Sequence, residues 1–383
     1  MVRVAIFNNI RLPDSCPLEI VGLDQNPEAI LVRSEDLKNK ILPDSLYAIC
    51  RVGSGIDNIP VEKCTEKGIA VFNTPGANAN SVKELVVWAL IEASRKASIA
   101  AGAVKENWGR NIAWEKEKKK YAGTEIADKK ILVIGLGNVG SMVANACLDL
   151  GMDVYGYDPC VISTGASRIK TAVLEGSDSN IGEYDFITLH PSLNKATRNI
   201  ISVGFLERLK QGVIILNFAR KEMVDDRAMK DALEKGWVRM YVSDFVDCSF
   251  SIFLIDRLVM LPHLGASTIE AQQRALDKAT GKILDFINHG RIEGSLNFPD
   301  CNPGIKEGGR DRIVVVNKNI PGMIGEYSGI LGKGAVNISH FVNENREKIG
   351  YSVMDVDAGS RWEVDVAIDA IKSQDGILKI RVI

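Results

Sequence analysis

Residues 129–159 read KKILVIGLGNVGSMVANACLDLGMDVYGYDP, and the fold turns on how that stretch is parsed. Ile131 to Ile134 is an apolar run of strand length. It breaks into Gly135, Gly137 and Gly140, spaced G-x-G-x-x-G, and an amphipathic helix begins at Asn138 and Val139. In such a unit the first glycine permits the tight turn and the second lets backbone approach a pyrophosphate. The third lets helix lie on strand, while the first helical N–H groups face the anion. A second strand, Asp153 to Tyr157, delivers Asp158. A carboxylate about 20 residues past the glycines can accept hydrogen bonds from the adenosine ribose hydroxyls and would repel a 2′-phosphate. The expected cofactor is therefore NAD rather than NADP.

Outward from this unit, 383 residues allow two or three domains with substantial cores. A net charge of −2 offers nothing to a polyanion, and the run EKEKKK at 115–120 reads as a solvated helix face, so no nucleic-acid partner is expected. The seven cysteines are scattered without C-x-x-C spacing, which argues for reduced packing residues and no metal site. The first residues, MVRVAIFNNI, lack the charged and apolar regions of a signal peptide, and no run approaches the ~20 apolar residues of a membrane helix. A cytoplasmic protein without membrane contact is the expectation.

Taken in order, the chain first alternates short apolar strands with helical stretches: Val2 to Phe7, Ala29 to Val32, Leu46 to Arg51 and Ala70 to Phe72. This is the rhythm of a parallel sheet, whose strand ends carry Arg33-Ser34, Gly53-Ser54 and Asn73 to Asn78. Those segments are either substrate-facing turns or turns alone. One helix is expected from Ser81 to about Asn107, crossing between domains. After the dinucleotide unit come strands at Phe186 to Leu189, Val213 to Asn217, Val238 to Ser243 and Leu258 to Leu261, with helical stretches near Thr197 to Ile201, Gly204 to Leu209 and Asp225 to Glu234. Together they make a Rossmann-type doubly wound sheet. Ser267 and Glu270 are spaced as a capping box for a return helix ending at Gly290. Gly294 to Gly309 reads as a linker. The last stretch gives β-α-β-β-α-β, the ferredoxin-like plan: Arg312 to Val316, Gly322 to Gly332, Val336 to Asn343, Tyr351 to Ala358, Trp362 to Ile371 and Leu378 to Val382.

Four histidines narrow the search for an acid/base. His289 reads as a helix-ending residue and His340 as part of a small-domain strand. His190 ends the strand FITLH, where it either lines the cofactor cleft or sits in a loop. His263 follows the strand LVMLP at the carboxyl edge of the sheet and precedes the return helix. Arg220 ends GVIILNFAR, where a guanidinium can bind a carboxylate bidentately; with Lys221-Glu222 beside it, a surface charge is the other reading. Asp244 ends YVSD and could hydrogen-bond a nicotinamide amide.

These motifs together resemble the D-2-hydroxyacid dehydrogenases, in particular those that act on 3-phosphoglycerate and carry a C-terminal ACT domain. The matches are GSGIDNI at 53–59, VFNTP at 71–75, SVKELV at 81–86, GLGNVG at 135–140, NFAR at 217–220, PHLGAST at 262–268 and SLNFP at 295–299. The resemblance implies a flavodoxin-like split substrate domain of residues 1–93 and 267–303, an inserted NAD-binding domain of 94–266 and an ACT regulatory domain of 310–383. It implies that Arg220 binds the substrate carboxylate and carbonyl while His263 exchanges the hydroxyl proton. Asp158 would hold the ribose, with Ser54, Ala219 and Asp244 along the nicotinamide. Arg33, Ser34, Asn78 and Gln272 would hold the phosphorylated acid, and Gly53 and Ser54 would offer backbone N–H groups to its carboxylate. The implied reaction is NAD-dependent oxidation of 3-phosphoglycerate to 3-phosphohydroxypyruvate, at the entry to serine synthesis, by a homo-oligomer (dimer or tetramer).

One part departs from the pattern. Where the family has D-V-F-x-x-E-P, this chain has DFVDCSF, with Ser249 at the spacing of the glutamate that pairs the histidine. Either Asp247, the nearest carboxylate, stands in, or His263 works unpaired. In the ACT region Asn317, Asn319 and Asn337 match positions where relatives bind serine, although Asn317 replaces a more usual histidine. The rival readings are a dehydrogenase of an unphosphorylated 2-hydroxyacid such as glyoxylate or D-lactate, and an NAD-sensing protein without turnover.

Overall fold

The computed structural model describes residues 1–383 apart from 9, 14–15, 161–168, 173, 175–180, 251, 307 and 358–359. The chain divides into two compact units, residues 1–77 with 272–383, and residues 78–271.

The first unit opens with β1 (Val2–Ile6), β2 (Leu18–Ile20), β3 (Ala29–Val32), β4 (Ala48–Arg51), α1 (Val61–Glu66) and β5 (Ala70–Phe72). The five strands form a parallel sheet in the order β2-β1-β3-β4-β5. Every residue of β3 and β5 is buried, as continuous apolar runs in a parallel sheet covered on both faces require. Successive residues take opposite faces: Ile30, Val32, Ile49 and Val71 join one core, and Leu31, Cys50 and Phe72 the other.

The second unit contains α2 (Ala79–Arg95), α3 (Ala97–Glu106), α4 (Trp114–Glu117), β6 (Lys130–Ile134), α5 (Asn138–Asp149), β7 (Asp153–Tyr157) and β8 (Lys170–Thr171). It continues with β9 (Phe186–Leu189), α6 (Val203–Leu206), β10 (Val213–Asn217), α7 (Asp226–Glu234), β11 (Val238–Ser243) and β12 (Leu258–Met260). Its seven-stranded sheet runs β12-β11-β10-β9-β6-β7-β8, parallel throughout. The order reverses between β6 and β9, the switch point where doubly wound sheets leave a crevice at their carboxyl edge.

Three expectations change here. The single helix expected over 81–107 is broken at Lys96, whose φ of 53° is left-handed. The division expected after residue 93 falls instead after 77. Val82, Val86, Ala89 and Leu90 of α2 share a core with Ile131, Val143 and Leu216, and Ser81 Oγ donates to Gly265 O at 2.8 Å, which holds α2 within this unit. The stretch 197–201 is a turn: Thr197 Oγ1 donates to Ser192 O at 2.7 Å, and Ile201 pairs as an isolated bridge with Val224.

α8 (Ile269–His289) begins after Thr268, whose Oγ1 accepts the Ala271 N–H at 3.1 Å. The cap is therefore Thr268, one residue beyond the expected Ser267. From Gln272 onward α8 belongs to the first unit. Beyond the linker come β13 (Asp311–Lys318), α9 (Met323–Lys333), β14 (Asn337–Arg346), β15 (Ile349–Asp357), α10 (Arg361–Lys372) and β16 (Ile377–Val382), the expected ferredoxin-like plan. Residue 358, the expected end of the β15 strand, lies outside the described residues. Ser360 and Glu363 close α10 with a capping box.

The antiparallel sheet, β14-β15-β13-β16, is covered on both faces. Ile313, Val315, Met354 and Val356 face α9 and α10, and the alternate residues Val314, Val316, Tyr351 and Val353 share a core with Phe72, Phe286 and Phe298. Polar side chains fasten that second face. Arg312, 1% exposed, pairs with Asp355 (2.5 and 2.8 Å) and donates to His289 O and Gly304 O at 2.8 Å. Tyr351 Oη donates to Gly290 O at 2.8 Å, and Arg346 to Ser295 O at 2.8 Å. Residues 310–383, expected as an ACT domain, thus group with the first unit.

Candidate active site

The glycine turn lies at the carboxyl end of β6, beside the switch point. A Cβ on Gly140 would stand 1.8 Å from Gly135 O, and one on Gly135 would stand 2.5 Å from Pro191 N, so both positions admit only glycine. A Cβ on Gly137 would meet nothing within 4 Å, and α5 starts there with no side chain capping its first N–H groups. That combination, a tight turn around open space with uncapped amides, fits a pyrophosphate. Asp158, at the end of β7, accepts the Leu136 N–H at 2.8 Å and the Cys160 N–H at 2.9 Å, which fixes its carboxylate beside the turn. The His190 ring lies against Gly140, its Cβ 3.4 Å from where a Gly140 Cβ would stand. His190 Nε2 meets Thr188 Oγ1 at 2.9 Å, and Nδ1 is enclosed without a protein partner. Burial pushes this imidazole down to about 3, so it is neutral at physiological pH.

The carboxyl ends of β10, β11 and β12 are tied to one another through the backbone. Asp244 N–H donates to Asn217 O at 3.0 Å, and His263 N–H donates to Asp244 O at 2.9 Å. Asn217, fully buried, takes the Ala219 N–H on Oδ1 (3.1 Å) and gives Nδ2 to Arg220 O (2.9 Å), which shapes the turn that presents Arg220. Asp244 is 2% exposed. Its carboxylate accepts the Leu264 N–H at 2.7 Å and the Gly265 N–H at 2.8 Å, and so clamps the turn in which His263 sits at a φ of 59°. Burial raises the Asp244 carboxyl, against the pull of those two amides. The His263 side chain is exposed and lies edge-on to Phe245, ring centroids 5.0 Å apart. Arg220, His263, Asp244 and Ala219 are thus brought to one edge, the carboxyl edge of the sheet that also carries the glycine turn.

Asp247 is engaged elsewhere, which corrects the expectation that it partners His263. Its Oδ2 lies 2.9 Å from Lys221 Nζ and its Oδ1 accepts the Ser249 N–H at 2.8 Å. Lys221 also reaches Asp226 at 3.7 Å. Burial alone would raise the Asp247 carboxyl, but the Ser249 amide and the Lys221 ammonium bring it well below the usual range. Asp226 is driven up by burial and by the negative Asp247 beside it. Among the described residues no carboxylate bonds the His263 ring.

In the first unit, Arg33 and Ser34 follow β3 and Gly53 and Ser54 follow β4. Asn8, at a φ of 66°, accepts the amides of Arg33 (3.3 Å), Ser34 (2.9 Å) and Glu35 (2.8 Å) on one oxygen. Arg51 donates to Arg33 O at 3.0 Å and to Gly55 O at 2.8 Å, which joins the two turns. The Gly53 N–H is spent on Thr74 Oγ1 and Arg51 O, both at 2.9 Å, so of the two amides expected to receive a carboxylate only that of Ser54 is not so engaged. Gln272 lies on α8 of this unit, whereas Asn78, the residue before α2, falls in the second. The bracing parts of Asn8, Asn217 and Thr74 were missed by the sequence reading; Asn217 and Thr74 stand inside the matched motifs NFAR and VFNTP, but nothing there sets a side chain that acts on backbone apart from its neighbours.

In the ferredoxin-like region Asn317 is 4% exposed, donates to Lys318 O at 2.7 Å and keeps Oδ1 buried without a partner. Asn319 donates to Glu347 O at 3.0 Å, and Asn337 is exposed at the start of β14. No group of side chains suited to a metal ion and no helix long and apolar enough to cross a membrane occur among the described residues.

With this geometry in place, comparison with known proteins is informative. Residues 87–265 match the family described as D-isomer specific 2-hydroxyacid dehydrogenase, NAD binding domain. The chain is 34% identical to a D-3-phosphoglycerate dehydrogenase of Archaeoglobus fulgidus over 289 residues, 72% of this chain and 52% of that protein, so it spans about half the length of that relative. It is 34% identical to a hydroxypyruvate reductase of Thermotoga maritima over 307 residues, 72% of this chain and 97% of that protein. Among solved structures, the NAD-bound 3-phosphoglycerate dehydrogenase of Entamoeba histolytica aligns with a TM-score of 0.60 at 23% identity, covering 77% of this chain and 98% of that one.

Proposed function

This chain belongs to the D-isomer specific 2-hydroxyacid dehydrogenases, and on that premise we propose that it oxidises 3-phosphoglycerate to 3-phosphohydroxypyruvate with NAD as acceptor. NAD, when bound on the glycine turn with its ribose at Asp158, supplies the acceptor for the hydride leaving C2. His263 takes the hydroxyl proton in oxidation and returns it in reduction. Arg220 holds the substrate carboxylate and polarises the developing carbonyl, and Ala219 and Asp244 would lie along the nicotinamide.

The observation that carries the substrate class is Arg33. Its turn is fixed by three amides on Asn8 and by Arg51, and no carboxylate lies within ion-pair distance of it among the described residues. A cation carried on a braced turn, with no carboxylate paired to it, suits a phosphate. The ferredoxin-like domain, whose Asn317, Asn319 and Asn337 are the candidate serine contacts, adds to the reading. So does the name of the Archaeoglobus relative. The same reading makes the protein a cytoplasmic homo-oligomer at the entry to serine synthesis, in keeping with seven unpaired cysteines.

The test is NADH oxidation by the purified protein with 3-phosphohydroxypyruvate, hydroxypyruvate and glyoxylate side by side. The phosphorylated acid should lead in kcat/KM by at least about tenfold, the scale of one charge-assisted contact. Equal or better use of hydroxypyruvate would favour a second reading, reduction of an unphosphorylated 2-oxoacid, which the 97% span of the Thermotoga relative supports. Binding of NADH with no turnover on any of the three would leave the NAD-sensing reading.

A further inference from the structure

The face of the ferredoxin-like sheet that meets the first lobe carries two cations on β16 without acidic partners. Residues 379 and 381 lie on the same side of that strand. Lys379 Nζ donates to Leu46 O and lies 5.2 Å from the Tyr47 ring centroid. The Arg381 guanidinium is held between rings, 5.0 Å from the Tyr47 centroid and 4.4 Å from that of Phe286. It donates to Phe286 O (2.5 Å) and Ile287 O (3.3 Å), carbonyls in the last turn of α8. Arg312 on the same sheet has Asp355, but no carboxylate among the described residues comes within ion-pair distance of Lys379 or Arg381. The α8 carbonyls and the Tyr351 hydroxyl take three of the five N–H donors that a guanidinium offers. Burial lowers both cations, Lys379 to about 8. Asp44 and Glu28 act on Lys379 and Arg381 from beyond ion-pair distance, so the two cations are held in a desolvated place without a paired carboxylate.

Beside it is a cavity of about 490 Å³, within the range of small-molecule sites. Arg381 lines it at one side, and Tyr47, Leu284 and Ile287 give it apolar wall. Asn288 adds a polar edge. Glu28 is also on the lining, and one of its oxygens accepts the Arg3 N–H at 3.0 Å. A fixed guanidinium facing apolar wall recognises an anionic head on an apolar body, and its planar fork suits a carboxylate.

We propose that this cavity binds a small carboxylate with a short apolar body, its head on Arg381 in the field of Lys379 and its body against Leu284 and Ile287. The site is independent of the proposed catalytic one. It sits where β16 meets the end of α8, the helix that carries Gln272, so an occupant would brace the sheet against that helix.

Isovalerate is a suitable probe, with isoamyl alcohol as the same body lacking charge and inorganic phosphate as charge lacking the body. Calorimetric titration of the full chain should give one isovalerate site that survives Arg220→Gln and is absent for the alcohol. Lys379→Met should weaken it about tenfold. Because Arg381 also caps α8, the second variant is Leu284→Trp, which fills the cavity and leaves every charge in place; it should abolish binding with an unchanged circular dichroism spectrum. Loss of the heat in Arg220→Gln, equal binding of the alcohol, binding of phosphate alone, or full binding by Leu284→Trp would each overturn the proposal.

Discussion

Asp244 shows how a residue legible in the sequence can take a part the sequence does not spell. Its place at a strand end was evident, and a nicotinamide contact was the expectation. The carboxylate also accepts the Leu264 and Gly265 amides, and so holds the left-handed turn of His263. Asp244→Asn can keep only one of those acceptors. It should lower kcat by one to two orders of magnitude, the scale of losing a positioning contact of roughly 1.5–3 kcal/mol, with little change in the NADH dissociation constant by fluorescence. Asp247→Asn, by contrast, should leave the pH–rate profile unmoved, since that carboxylate answers to Lys221. Ser249→Glu should raise reductive turnover by restoring a carboxylate near the histidine. His190 gives a signature in stability. Its folded value of about 3 lies below the ~6.5 of an unfolded histidine. Between those values the unfolded chain binds a proton that the folded chain refuses, so this residue makes stability fall as pH falls from about 6.5. The slope is at most about 1.4 kcal/mol per pH unit, and less because the residue keeps some surface. His190→Gln should flatten that acid limb in urea titrations run from pH 4.5 to 7. Asn8 escaped the sequence reading, and Asn217 was read only as part of NFAR, because a side chain that braces a turn has neither periodicity nor a partner residue to reveal it.

At the level of elements, the buried strands and the glycine turn were readable because continuous apolar runs and G-x-G-x-x-G report directly on packing. β2 and β8 were not, being edge strands of three and two residues with mostly exposed side chains. The break between α2 and α3 was equally hidden. The apolar pattern continues across it, and only the backbone of Lys96 departs, at a cost of roughly 1–2 kcal/mol for a residue with a Cβ. Lys96→Gly should therefore raise stability by about 1 kcal/mol, after allowance for the greater freedom of glycine in the unfolded chain. A shift of the urea midpoint in the other direction would mean that the lysine side chain compensates. Gly140→Ala is the converse case. Its methyl would fall 1.8 Å from a carbonyl, so the turn must open. NADH binding should drop by at least tenfold, even where the far-ultraviolet spectrum is retained.

For the whole molecule, the order of motifs disclosed the lobes but not their grouping. A linker rich in Gly, Pro and Asn marked off a small domain at the carboxyl end. The alternation along β13 and β15 was equally compatible with a sheet covered once or twice, because both faces are apolar. Arg312 decides the matter energetically. Truncation to alanine leaves Asp355 partly buried without its cation and three backbone carbonyls without their donor, at a cost of about 3 kcal/mol. In calorimetry Arg312→Ala should split the unfolding of residues 1–77 and 272–383 into separable transitions, whereas the wild-type unit melts as one. There is a further consequence of the doubly covered sheet. Helices over one side and the core shared with Phe72, Phe286 and Phe298 over the other close the middle strands β13 and β15 to newcomers, and what stays open are the margins, β14 and the outer rim of β16. β14 is the longer rim, with most of its residues exposed. A neighbouring molecule that met this sheet would therefore meet it at β14, by its unpaired edge or its exposed side chains, and not at the buried middle strands.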